Sequence, residues 1–292
     1  MQSYYLVTDS TSELSKEAVE ELGVKVVPMN YTFDGRELTH APGGGDITLD
    51  EFYEGLDRGV DVSTSQITPG MYFEFFEPLL EEGMDIIYIC FSSGLSGTYS
   101  NSVAAFNDMR ERYPDRKMVT IDSLCASVGE ALLVYLAADK MKAGAGFEDL
   151  SAFIEEQRKH ICHWFLVKDL NQLKKGGRVS PMAAALGTTL GIIPIISIDD
   201  KGRLNVRTKI HGLKKALAFL AERFSNESDK DVKTVVIGHG HCPEYAENLK
   251  NMLIQNGFDG RVVILQVGPV VGSHVGSGMV AVIFAGEDNK DI

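Results

Sequence analysis

Short apolar runs alternate with hydroxyl-rich loops and stretches of helical period through the first half of the chain. Tyr4 to Thr8 is a β-type run that ends in Asp9-Ser10-Thr11-Ser12, and a helical stretch follows from Lys16 to Leu22. Val24 to Phe33 reads as a second strand, ended by Asp34-Gly35. Pro28 within it has no N–H to give a ladder, which predicts an edge strand or a broken one. Ala41-Pro42-Gly43-Gly44-Gly45 reads as loop. Helical periodicity returns from Thr48 to Leu56 and from Met71 to Glu82, with a polar loop, Val62 to Gln66, between them. The near-continuous apolar run Asp85 to Phe91 predicts a strand buried on both faces. A loop from Ser92 to Thr98 leads into a helix reaching Tyr113, then a strand from Met118 to Ile121 ends in Asp122-Ser123. The helix after that includes Ala131 to Met141.

Strand, polar loop and helix in repetition predict an α/β fold with a largely parallel, doubly wound sheet. Such sheets bind ligands beyond the C-terminal ends of their strands. Three strand ends here, at Thr8, Ser92 and Asp122, open into hydroxyl-rich loops, which places the expected site there.

The second half has a different rhythm. Ala145-Gly146 marks a break, and Glu148 to Lys159 reads as a linking helix. Ile193 to Ile198 and Leu204 to Thr208 flank Asp199-Asp200-Lys201-Gly202, a hairpin signal. Val232 to Ile237, Arg261 to Gln266 and Met279 to Phe284 read as strands, with helices over Leu213–Phe224 and Glu244–Gln255. The expectation is two α/β domains: residues 1–150 with the parallel sheet and residues 151–292 with a mixed sheet.

Composition narrows the function classes. In 292 residues, 44% apolar content provides for a core and an internal cavity. A net charge of −13 argues against a nucleic-acid backbone and against anionic lipid surfaces as partners. The four cysteines form no CxxC pair, so neither a zinc site nor a disulfide framework is expected, and Cys90 reads as a small core residue. No basic region followed by an apolar stretch and a cleavage site opens the chain, and no apolar run approaches the ~20 residues of a membrane span. Cytoplasmic localisation is expected.

Several motifs carry chemistry and a plainer alternative. Asp9-Ser10-Thr11-Ser12 suits an N-cap cluster or an anion contact at a helix start. Ser93-Gly94-Leu95-Ser96-Gly97-Thr98 lets backbone approach a ligand closely. It lacks the Walker lysine, and its spacing falls one residue short of GxSxG. Gly238-His239-Gly240-His241-Cys242 could hold metal only with partners elsewhere, and a strand-end turn is the simpler reading. Met and Phe at helical spacing over residues 70–76 describe a packed helix face. Lys174-Lys175-Gly176-Gly177-Arg178 is a basic patch in an acidic protein, either a solvated turn or a docking surface for phosphate or an acidic partner. In residues 268–278, glycines surround His274, which suggests backbone near a ligand and an exposed imidazole.

Taken together and in order, these motifs resemble the DegV family from Tyr5 to about Ala285. The matching points are Thr8-Asp9-Ser10-Thr11, Thr64-Ser65-Gln66, Ser92 to Tyr99, Ile121-Asp122-Ser123, Lys175-Gly176-Gly177-Arg178 and Gly272 to Gly276. The resemblance implies a lipid between two α/β domains. It implies a long-chain fatty acid whose carboxylate is held by Thr64 and Ser96 with His274 nearby, and Arg178 facing a kinase partner. Ser10, Ser65, Gly97, Thr98 and Ser273 would support these loops. Such proteins present the acid to a separate ATP-dependent kinase subunit, which makes acyl phosphate for phospholipid synthesis. No catalytic residue, metal or cofactor is then expected. The chain departs from the family pattern at Ile67, where proline is expected, and at Ser277, likewise.

The physics accommodates a carrier. About a dozen methylenes at ~0.8 kcal/mol each give a gross term on the order of 10 kcal/mol. Neutral hydroxyl donors would satisfy the carboxylate while leaving it reachable for phosphorylation. The competing class is a stand-alone hydrolase or phosphotransferase using Ser96 or His274.

Overall fold

The computed structural model describes residues 3–168, 170–180 and 191–286. Its strands are β1 (Tyr4–Asp9), β2 (Lys25–Val27), β3 (Met29–Phe33), β4 (Arg36–Ala41), β5 (Gly44–Gly45), β6 (Val62–Thr64), β7 (Asp85–Cys90), β8 (Met118–Asp122), β9 (Ile161–Leu166), β10 (Ile192–Ile198), β11 (Leu204–His211), β12 (Thr234–His239), β13 (Arg261–Gln266) and β14 (Val280–Ala285). The helices are α1 (Lys16–Leu22), α2 (Leu49–Asp57), α3 (Pro69–Glu81), α4 (Thr98–Arg112), α5 (Val128–Lys142), α6 (Phe147–Gln157), α7 (Asn171–Lys175), α8 (Leu213–Glu227), α9 (Pro243–Gln255) and α10 (Pro269–Val275).

The expected α/β architecture is present. Strands in the order β2-β1-β7-β8 form a sheet in which every pairing is parallel. The β7 run works as its composition predicts. Ile87 and Ile89 enter the core on one face, and Ile86, Tyr88 and Cys90 enter the core on the other. A second, six-stranded sheet has the order β11-β10-β9-β14-β12-β13. It is mixed, because β12 and β13 run parallel while the other pairings are antiparallel.

The break expected at Pro28 is present, and three other local expectations change. The run Val24–Phe33 is two strands, broken at Pro28, where the chain leaves the parallel sheet and enters a small antiparallel one of order β5-β4-β3-β6. Within that sheet Gly44–Gly45 pairs with β4, so the glycine segment is not wholly loop. Val62–Thr64, expected as loop, pairs with β3. Residues Pro269–Val275 form a helix in place of a glycine-rich loop. At Val62–Thr64 a pairing partner distant in sequence overrides a weak local signal.

Helix α5 joins the sheets. It is buried on every side from Val128 to Val134, and its core includes residues of β1, β7, β9, β12 and β14. A helix apolar all round belongs in an interior, and this one lies between the two larger sheets. Among the described residues no helix is long and apolar enough to cross a membrane.

Candidate functional site

A cavity of about 170 Å³ opens beside the start of α5, where the strand-end loops of the parallel sheet meet the mixed sheet. Thr64, Ser65, Ser96, Arg178 and His274, named above from separate motifs, all line it. Phe91, Leu95, Phe165, Ile198, Val271 and Ile283 supply apolar wall.

The polar residues form two connected groups. Thr64 stands at the end of β6, and its Oγ1 lies 3.0 Å from Nε2 of His274 on α10. Gly176 backs the other side of that ring. A Cβ at this position would stand 2.2 Å from His274 Nδ1, so only glycine lets the basic loop pass. The imidazole is half-buried and not exposed as the glycine-rich setting suggested. Burial, with the Arg178 guanidinium adding to it, pushes its pKa down to about 4, which leaves the ring neutral near pH 7.

Ser96 opens α4. Its Oγ accepts from Thr98 N at 3.2 Å and lies 2.9 Å from Thr98 Oγ1. The loops of Thr64 and Ser96 touch through Gln66. Asn101 Nδ2 donates to Gln66 Oε1 at 3.2 Å and to Ile67 O at 2.9 Å. A Cβ on Gly97 would stand 2.3 Å from Gln66 Oε1, so a side chain there would displace the Gln66 amide.

Arg178 lies on the cavity boundary. Its Nε donates to Leu95 O at 3.2 Å, and Nη1 donates to Gly176 O. It also lines an outer groove shared with Gly94, Gly177, Arg203 and Asn205. Arg178 therefore borders both the cavity and this groove.

Four supporting residues lie off the cavity lining. Ser10 Oγ accepts from Met29 N at 3.1 Å, and Ser273 Oγ donates to Val270 O at 3.0 Å. Thr98 is buried against Ser96, and Gly97 abuts Gln66. Ser65 lines the cavity and its Oγ donates to Asn30 O at 3.1 Å. The two departures from the family pattern have local roles. Ile67 is fully buried in the aromatic core, and Ser277 Oγ donates to Asp57 Oδ1 at 2.7 Å. In the Gly238–Cys242 segment, Gly238 and His239 end β12, and residues 240–242 turn into α9.

Thr11, part of the Asp9–Ser12 cluster, also lines the cavity; sequence reading missed Ser127 and His163, which line it too. It also missed the buried carboxyl groups behind them. Thr11 Oγ1 donates to Asp9 and lies 3.1 Å from Glu130 Oε2, and Thr8 Oγ1 donates to Glu130 Oε1 at 2.6 Å. Ser127 Oγ donates to Glu13 Oε1 at 2.9 Å. Burial raises the pKa of Asp9, Glu13 and Glu130, Glu13 to about 8. The hydroxyl-acid pattern of residues 8–13 was visible, but no sequence spacing connects it with Ser127 or Glu130.

Comparison with known proteins agrees with the motif reading. The family model described as "Uncharacterised protein, DegV family" matches residues 3–287. A DegV domain-containing protein of Clostridium perfringens is 35% identical over 99% of this chain and 100% of its own. Among solved structures, a fatty acid binding DegV family protein of Streptococcus agalactiae superposes with a TM-score of 0.84 at 27% identity, covering 98% of this chain and 100% of that one. A DegV family protein of Thermus thermophilus, solved for its fatty acid binding, gives a TM-score of 0.84 at 26% identity over 98% of this chain and 100% of that one. With a family match across nearly its whole length, the chain belongs to the DegV family.

Proposed function

We propose that this protein carries one long-chain fatty acid, with the acyl chain in the cavity and the carboxylate at Thr64, Ser96 and His274. It presents that carboxylate to a separate ATP-dependent kinase subunit, which forms the acyl phosphate, and it contributes no catalytic residue itself. The observation that carries the reading is the convergence of these three residues, from motifs far apart in sequence, on one largely apolar cavity. The fatty-acid-binding relatives of the same fold point the same way.

Thr64 and Ser96 can each donate a hydroxyl proton to a carboxylate, which an anion leaving water requires. The neutral His274 adds a donor if its proton sits on the nitrogen that faces the ligand. The adjacent Arg178 guanidinium lowers the cost of bringing an anion to this end of the cavity. Because Arg178 also borders the outer groove, it is the residue we assign to kinase docking. We place the acid between an N-terminal domain of residues 1–150 and a C-terminal domain of residues 151–292, since both halves line the cavity. A cytoplasmic carrier suits this assignment.

A hydrolase or phosphotransferase needs an activated nucleophile. Ser96 Oγ is engaged with Thr98, and His274 with Thr64, so no Ser96–His274 pair supports that reading. Organic extraction of the purified protein, followed by mass spectrometry, tests the carrier. Co-purified fatty acid is the expected result. Lipid-free protein that cannot be loaded, or turnover of simple esters by the protein alone, would overturn it.

A further inference from the structure

The site described above leaves three buried acids, Asp9, Glu13 and Glu130, without a role, and Glu13 is the one that touches two separate pieces of its wall. Glu13 follows the 3-10 turn Ser10–Ser12 with φ 59°, in the left-handed region, and is 8% exposed. One of its carboxyl oxygens accepts from Ser127 Oγ at 2.9 Å and the other from Gly268 N at 2.7 Å. Ser127 precedes α5 and lines the cavity. Gly268 is the N-cap of α10, the helix that carries His274, and α10 has no side-chain cap of its own. Glu13 therefore provides the acceptor at the start of α10.

The fit around this contact is close. A Cβ on Gly268 would stand 2.7 Å from Glu13 Oε2 and 2.2 Å from His40 Nε2. His40, from β4, places its Nε2 3.7 Å from Glu13 Oε2, and Tyr53 OH donates to Val267 O at 2.8 Å. Two pieces of cavity wall more than a hundred residues apart thus meet on one carboxyl group.

We propose that Glu13 is a positioning residue for the bound acid: it ties the start of α5 to the start of α10 and so holds His274 where it meets Thr64. This rests on the fatty-acid reading above. A merely structural acid would behave differently on substitution. Burial raises the Glu13 pKa to about 8, so the neutral form predominates near pH 7. Glutamine keeps a neutral side chain whose amide oxygen can accept from Gly268 N, and its NH2 can donate to Ser127 Oγ in place of the bond that Ser127 gives Glu13. Leucine fills similar space and removes both bonds.

The test is oleic acid titration of delipidated wild type, E13Q, E13L and S127A, with unfolding temperatures measured on the same ligand-free samples. E13Q should bind within about threefold of wild type, while E13L, lower in unfolding temperature because Gly268 N loses its acceptor, should stay folded at the titration temperature and bind at least about tenfold more weakly. S127A, which removes one arm, should fall between them. The His274 ring resonances should shift in E13L and stay in place in E13Q. Wild-type affinity in E13L, or affinity losses in all variants that only track lost stability, would overturn the role. If E13L does not fold, wild-type binding by S127A with an unmoved His274 resonance overturns it. Failure of the wild type to bind oleic acid would instead sink the fatty-acid reading.

Discussion

His274 is neutral in this structure because burial and Arg178 both disfavour its charged form, with burial the larger cause. Its folded pKa of about 4 lies below its ordinary value of 6.5. The unfolded chain therefore binds this proton first. The ring's contribution to stability is present above pH 6.5 and is lost as pH falls from there towards about 4. A carboxylate bound beside the ring favours the imidazolium. NMR titration should accordingly show a higher His274 pKa in loaded protein than in empty protein. An identical pKa in both would separate His274 from the carboxylate. Ser96→Ala removes a donor while its neighbour Thr98 keeps its place in α4, so the fold should persist and fatty-acid affinity should fall roughly three- to tenfold, the range of one net hydrogen bond. Equal lipid occupancy of mutant and wild type in native mass spectrometry would remove Ser96 from the site.

At the scale of elements, the site depends on close approaches that only glycine allows. Gly176 in the basic loop lies against His274, and Gly129 in α5 lies against His163, where a Cβ would stand 1.9 Å from Nε2. Gly176→Ala should push the His274 ring from Thr64, reduce oleic acid binding, and cost about 1–3 kcal/mol by overpacking, as measured by denaturant unfolding. Unchanged binding would show that the ring has room to move. Helix α5 shows why some elements were legible early and others were not. Its apolar run marks a helix, yet its period has no polar face to indicate which sheet it covers. In the structure it covers parts of both. The strand β9 was missed altogether, although it lies at the centre of the mixed sheet between β10 and β14. Cys162 and His163 interrupt its apolar pattern, and its pairing partners, the nearest of them Ile195 against Leu166, are distant in sequence.

For the whole molecule, charge distribution matters more than net charge. The chain carries −13 overall, yet Arg178 and Arg203 border the groove beside the cavity mouth. An acidic kinase surface would find local attraction there. Arg178→Ala should retain lipid and lose most acyl-phosphate formation with a cognate kinase, and formation by wild type should weaken as salt rises past about 0.15 M, where the Debye length is about 8 Å. Full activity of the variant would exclude Arg178 from docking.

The sequence by itself determined what repeats over a few residues or is spelled in contiguous motifs. The alternating strands and helices follow from periods of two and 3.6 residues. The hydroxyl-rich strand ends, the Gly-Gly-Arg loop and the ordered set of family motifs were legible in the same way, and they included all five predicted residues that line the cavity. Tertiary structure decided what depends on contacts between distant segments. It placed the two halves of Val24–Phe33 in different sheets, made Pro269–Val275 a helix, and set Arg178 at the boundary of cavity and groove. It also joined Glu13, Ser127 and Gly268 in one buried contact. Burial of those groups comes from long-range packing, and burial is what shifts their proton affinity. No local pattern encodes either.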